Sequence, residues 1–141
     1  MFIQKRIITT LIALLLLFAT GPNMVKATEP IGIMPLYLNI DYARASLSIS
    51  SGTATCTANV SGLLGTTKIV GSVYLQRRLS SSTTYSTIRT WSGNISNGST
   101  FSFSGIHAVS SGYIYRVKLD AIVTRNGVNE TVTVYSALRS Y

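Results

Sequence analysis

From Leu47 to Val60, apolar residues fall at every second position on either side of a short turn signal, Ser51-Gly52. A two-residue hairpin turn there sets Ser50 opposite Thr53, Ile49 opposite Ala54 and Leu47 opposite Cys56. Leu47, Ile49, Ala54, Cys56, Ala58 and Val60 then share one face, and Thr53, Thr55, Thr57 and Asn59 share the other. A second hairpin is predicted at Asn126-Gly127, where both residues tolerate positive φ. It pairs Val123 with Glu130, Ala121 with Val132 and Leu119 with Val134, and on the opposite face Asp120 with Thr133 and Lys118 with Tyr135. Because turn register and alternation agree twice, the pattern predicts antiparallel sheet.

Between the hairpins, Thr67 to Arg77 alternates with Ile69, Val73 and Leu75 on one side and Ser72, Tyr74 and Gln76 on the other. The run Ser80 to Thr84 reads as a loop, Tyr85 to Ser92 as a strand, and Asn97-Gly98 as the turn before a strand carrying Phe101 and Phe103. No stretch beyond residue 28 has sustained helical periodicity, so about seven strands are expected in an all-β sandwich. Residues 28–44, with Pro30 and Pro35, read as an extended leader or an irregular edge strand ahead of a sandwich domain at 45–141.

The N-terminal region follows a different rule. Lys5 and Arg6 precede an apolar run, Ile7 to Ala19, and Val25-Lys26-Ala27 places small residues at a cleavage site, so 1–27 reads as a secretory signal peptide. As a helix, the apolar run would rise about 20 Å, short of the roughly 30 Å of a bilayer core. Export would leave about 114 residues starting at Thr28, enough for one packed core. Cys56 is the only cysteine, so the core must hold by packing without an internal disulfide.

The chain carries a formal charge of +8, and loss of Lys5, Arg6 and Lys26 lowers it to about +5. An excess of that size favours encounter with anionic polymers. Apart from Arg77-Arg78 the charges are scattered, which argues against nucleic acid as a partner.

"ASLSISSGTATCTANVSG", "TTKIVGSVYLQRR" and "SSGYIYRVKLDAIVTRNGVNETVTVYS" together resemble a family of small exported proteins of Gram-positive bacteria, catalogued as a domain of unknown function. The resemblance implies export and an immunoglobulin-like antiparallel β-sandwich, and it supplies no catalytic residue. Gly112 followed by Tyr115-Arg116-Val117 looks like the tyrosine-corner strand of immunoglobulin domains, with Val117 where their second cysteine stands.

Candidate chemistry is sparse. Asp120 and Glu130 fall on opposite faces of their hairpin, roughly 10 Å apart along the strands, which does not suit a carboxylate pair working on one bond. His107, the only histidine, reads as a polar loop residue, and Cys56 as a small buried hydrophobe. No catalytic residue, metal ligand or cofactor is therefore expected. What remains is a row of outward side chains, Tyr74, Gln76, Arg116, Lys118 and Tyr135, with Arg89 and Trp91 placed alongside. Aromatic planes and cations on a flat sheet suit a cell-wall glycan, an anionic polymer or a protein ligand. The expected function is a secreted, non-enzymatic binding or structural module at the cell envelope, in contact with a membrane only through the signal peptide before cleavage. The alternative is a small basic secreted antibacterial or effector protein. The end "SALRSY" carries neither a sorting motif nor a hydrophobic tail, so release is expected over covalent anchoring.

Overall fold

The computed structural model describes residues 36–141; the expected signal peptide and the first part of the leader, 28–35, lie outside them. Eight strands follow in order: β1 (Ile40–Ser50), β2 (Thr53–Gly62), β3 (Thr66–Leu79), β4 (Ser86–Ser96), β5 (Thr100–Ala108), β6 (Tyr113–Arg125), β7 (Val128–Tyr135) and β8 (Arg139–Ser140). They form two antiparallel sheets, β1-β2-β5 and β4-β3-β6-β7, with β8 pairing β6. This is an immunoglobulin-like β-sandwich in which the fourth strand lies beside the third and not beside the fifth. The sandwich starts earlier than the expected residue 45, because Ile40 to Arg44 already pair with β2 across an irregularity at Asp41.

Both hairpins have the register that their turns demand. Ser50 faces Thr53 and Leu47 faces Cys56; Lys118 faces Tyr135 and Val123 faces Glu130. Ser51 and Gly52 have φ of 47° and 74°, and Asn126 and Gly127 have 50° and 77°. Paired positive φ values give the turn whose twist matches the right-handed twist of the flanking strands. With register set, alternation sends Leu47, Ala54, Cys56, Ala58 and Val60 from one sheet against Ile69, Val73, Leu75, Val117, Leu119 and Val123 from the other.

Side-chain size had to be relieved at two inward positions. Gly71 on β3 leaves room for the Phe101 ring. On β5, a side chain at Gly105 would come within 2.7 Å of Phe103 and 2.9 Å of Trp91. At the other end of the sandwich the fully buried Tyr115 donates its hydroxyl hydrogen bond to the Ser110 carbonyl at 2.6 Å, pinning the loop before β6 as a tyrosine corner does. Tyr115→Phe should keep the fold and cost about 1–2 kcal/mol, read as a lower urea midpoint at unchanged slope.

The last strand pairing is interrupted and repaired by one serine. Between β7 and β8, the buried Ser136 gives its N–H to the Val117 carbonyl and accepts the Val117 N–H on its Oγ, both at 2.9 Å. Its side chain thus replaces a lost backbone acceptor, and the chain continues along the same edge of β6.

Candidate binding face

Alternation along β3, β6 and β7 presents polar and aromatic side chains on the outer face of the larger sheet. Tyr74 lies opposite Lys118, which lies opposite Tyr135, and Gln76 lies opposite Arg116. Five of the residues expected to project together therefore share one face.

Arg116 is the centre of the group. Its guanidinium carbon sits 3.7 Å from the Tyr85 ring centroid and 4.2 Å from that of Tyr135. Its Nε donates to Gln76 Oε1 at 2.9 Å, and Gln76 Nε2 donates to Thr87 Oγ1 at 3.1 Å. Two rings and a hydrogen bond fix the guanidinium plane while leaving its terminal nitrogens without a carboxylate among the described residues. Lys118 lies 5.2 Å from the Tyr74 ring and forms an ion pair with Asp120 at 2.8 Å. Asp120 also accepts the Thr133 hydroxyl at 2.6 Å. The hydrogen bond that Lys118 donates to Asp120 holds its ammonium above the ordinary range, against a smaller opposing effect of burial. A shallow depression of about 410 Å³, lined in part by Ser72, Lys118, Asp120, Ile122 and Thr133, continues from this row.

Two expected members are elsewhere. Strict alternation from Tyr85 puts Thr87, Arg89 and Trp91 on the same side, but the β3–β4 ladder shifts by one residue between Leu75/Arg89 and Gln76/Thr87. This bulge at Ile88 leaves Thr87 outward and turns the following positions over. Trp91 pairs with Val73 and packs half-buried against Phe103, with ring centroids 5.5 Å apart, so its apolar surface leaves water. Arg89 follows it and stacks 5.5 Å from the indole, remote from Arg116.

Tyr85 is the member that sequence reasoning missed. It ends the β3–β4 loop and is held by Arg78, whose Nε donates to the Tyr85 hydroxyl at 3.1 Å while Nη1 donates to the carbonyls of Leu79, Ser80 and Ser82. The loop fold brings the ring over Arg116. No short-range pattern in the sequence signals this contact, because the ring reaches Arg116 only through the fold of the loop.

The remaining polar candidates have other duties. Glu130 accepts the backbone N–H groups of Leu38 and Asn39 at 2.9 and 2.7 Å, tying the entry of β1 to β7, on the side of the hairpin away from Asp120. His107 lies within β5 opposite Ala54, half-buried, and not in a loop as the sequence suggested. Cys56 is buried, and burial pushes its thiol up to about 11. Among the described residues, no group of three or more His, Cys, Asp or Glu is placed to hold a metal ion.

No protein-family model matches the chain, and no curated protein matches it. Among solved structures, the chain is similar to Spo0M, a sporulation control protein from Bacillus subtilis, with 13% identity and a TM-score of 0.38 over 67% of this chain and 48% of that one. This chain thus spans about half the length of that protein.

Proposed function

We propose that this protein is an exported, non-enzymatic binding module that holds an anionic glycan polymer of the cell envelope on the outer face of its β4-β3-β6-β7 sheet. The observation that carries the reading is the Tyr85–Arg116–Tyr135 stack beside the Tyr74–Lys118 pair. A guanidinium held between two rings loses little freedom when its terminal nitrogens take a phosphate or carboxylate as a two-pronged hydrogen bond. Flanking tyrosines offer flat surface to sugar rings, and the depression beside Lys118 gives a polymer room to continue. The excess of basic residues along the chain favours encounter with such a ligand.

Retention on isolated cell walls tests this. Binding should weaken as salt rises, since exposed charges are screened over about 8 Å at physiological ionic strength. Arg116→Ser with Lys118→Ser should reduce affinity by about tenfold or more, from the loss of charge-assisted hydrogen bonds, and leave the fold intact because both side chains point away from the core. Arg116→Lys should recover only part of the loss, since an ammonium lacks the planar fork. Undiminished retention by the double variant would remove this face. Absence of wild-type retention at low salt, together with growth inhibition of neighbouring strains, would favour the basic effector reading.

A further inference from the structure

The opposite end of the sandwich carries a second surface of different chemistry. Lys68, at that end of β3, is six residues from Tyr74, roughly 20 Å along the strand, which sets the tip apart from the Arg116 stack, while the depression beside Lys118 reaches towards it as far as Val70. Three segments meet there: the entry to β1, the β2–β3 turn and the β6–β7 hairpin. Each presents aliphatic side chains to water: Leu36 and Leu38 from the first, Leu63 and Leu64 from the second, Val128 from the third. Leu36 is 92% exposed and Leu64 94%, values far from those of residues that merely edge a core.

Hydrogen bonds beneath these side chains hold the segments together. Leu63 N–H donates to the Asn39 carbonyl at 2.9 Å, and Asn39 Nδ2 donates to the Val128 carbonyl at 3.2 Å. Arg125 Nε donates to the Leu64 carbonyl at 2.7 Å and its Nη1 to the Leu38 carbonyl at 3.3 Å, while Glu130 takes the N–H groups of Leu38 and Asn39. The backbone polar groups are thus engaged inward, and the aliphatic groups remain outward on a braced tip. An exposed apolar cluster assembled from three separate segments marks an interaction site.

We propose that this tip inserts into the surface of an anionic lipid bilayer, a membrane contact in addition to the one expected of the signal peptide alone. Two features select this occupant. Around the tip stand Tyr42 and Arg44 on the outer side of β1 and Lys68 on β3, all exposed, an amphipathic ring and two cations at headgroup level behind an apolar wedge, against one exposed carboxylate, Asp41. The apolar character also continues along the chain, since Leu36 is preceded directly by Ile31, Gly32, Ile33, Met34 and Pro35. The tip is distinct from the proposed glycan face, and a protein using both would lie between membrane and wall polymer with its two ends differently engaged.

The test reads insertion at single positions of the full chain. Leu64→Cys, Val128→Cys and Ser104→Cys are each labelled with an environment-sensitive fluorophore; the buried Cys56 stays unlabelled, and Ser104 is exposed on the outer side of β5. With vesicles of equimolar phosphatidylglycerol and phosphatidylethanolamine, emission should shift to the blue at 64 and 128 and remain unchanged at 104. Arg44→Ser and Lys68→Ser should each raise the vesicle concentration needed by about fivefold. Co-sedimentation with vesicles while position 64 stays in water would overturn the proposal, because attachment would then run through the N-terminal apolar segment alone. A shift at 64 that grows with protein concentration in the absence of vesicles would also overturn it, by making the tip a contact between two copies. Loss of glycan binding in the Arg116/Lys118 double variant would leave these signals unchanged, so the two readings fail separately.

Discussion

Replacing Cys56 by aspartate should leave the domain unfolded under conditions where the native chain is folded. Cys56 is fully buried on β2 between Ala54 and Ala58, and the larger sheet covers it. A carboxylate there would have neither a cation nor water, and an unpaired buried charge costs several kcal/mol, a large part of the roughly 5–15 kcal/mol that a domain of this size has in total. Cys56→Ala removes only a small sulfur-sized volume and should cost on the order of 1–2 kcal/mol, measured in urea. The native thiol should react slowly with a thiol reagent in buffer and quickly in denaturant; equal rates would mean that the β1–β2 register is wrong. The same site gives a pH dependence. Burial raises the folded thiol from the ordinary 9.0 to about 11, so the unfolded chain gives up its proton first. The stabilisation is complete below pH 9 and is lost as pH rises towards 11, by about 2–3 kcal/mol in total. Cys56→Ala should lack that part of the alkaline decline.

Gly71→Val should cost about 3 kcal/mol or more, through a single neighbour. Gly71 lies between Ile69 and Val73 on the inner face of β3, and the Phe101 ring occupies the space a side chain would need. Adding one forces the ring towards solvent or the sheets apart, so overpacking strain and lost aromatic burial add. The neighbour can be identified by a double-mutant cycle. Phe101→Leu alone should destabilise by leaving a void, but combined with Gly71→Val the loss should be smaller than the sum of the two, because the new side chain fills the vacated space. Additive losses would mean that the two residues do not meet.

The shared reason for both effects is that an inner face of this sandwich has no slack. Its two sheets meet through small residues, Ala54, Cys56, Ala58 and Gly105 on one side and Gly71 and Ala121 on the other, opposite larger aliphatic and aromatic ones. Small-against-large pairing lets the sheets approach closely and makes each small position intolerant of addition.

The sequence alone determined what repeats with a short period. Both hairpin registers were legible, because a two-residue turn permits one pairing and a slip by one residue would send Leu47 or Leu119 to water. For the same reason the common face of Tyr74, Gln76, Arg116, Lys118 and Tyr135 could be read from parity within β3, β6 and β7. Only the tertiary structure decided the rest. The bulge at Ile88 breaks parity with no residue that announces it, and the gain from burying Trp91 against Phe103 sets which way the strand turns over. Tyr85 reached Arg116 through a loop shaped by the carbonyls that Arg78 could find, and the aliphatic tip formed where three segments far apart in sequence were tied to one another. Alternation carries information across two residues, whereas these features depend on which segments become neighbours, at separations from 7 residues for Arg78 and Tyr85 to 61 for Leu64 and Arg125, and that is settled by the packing of the whole core.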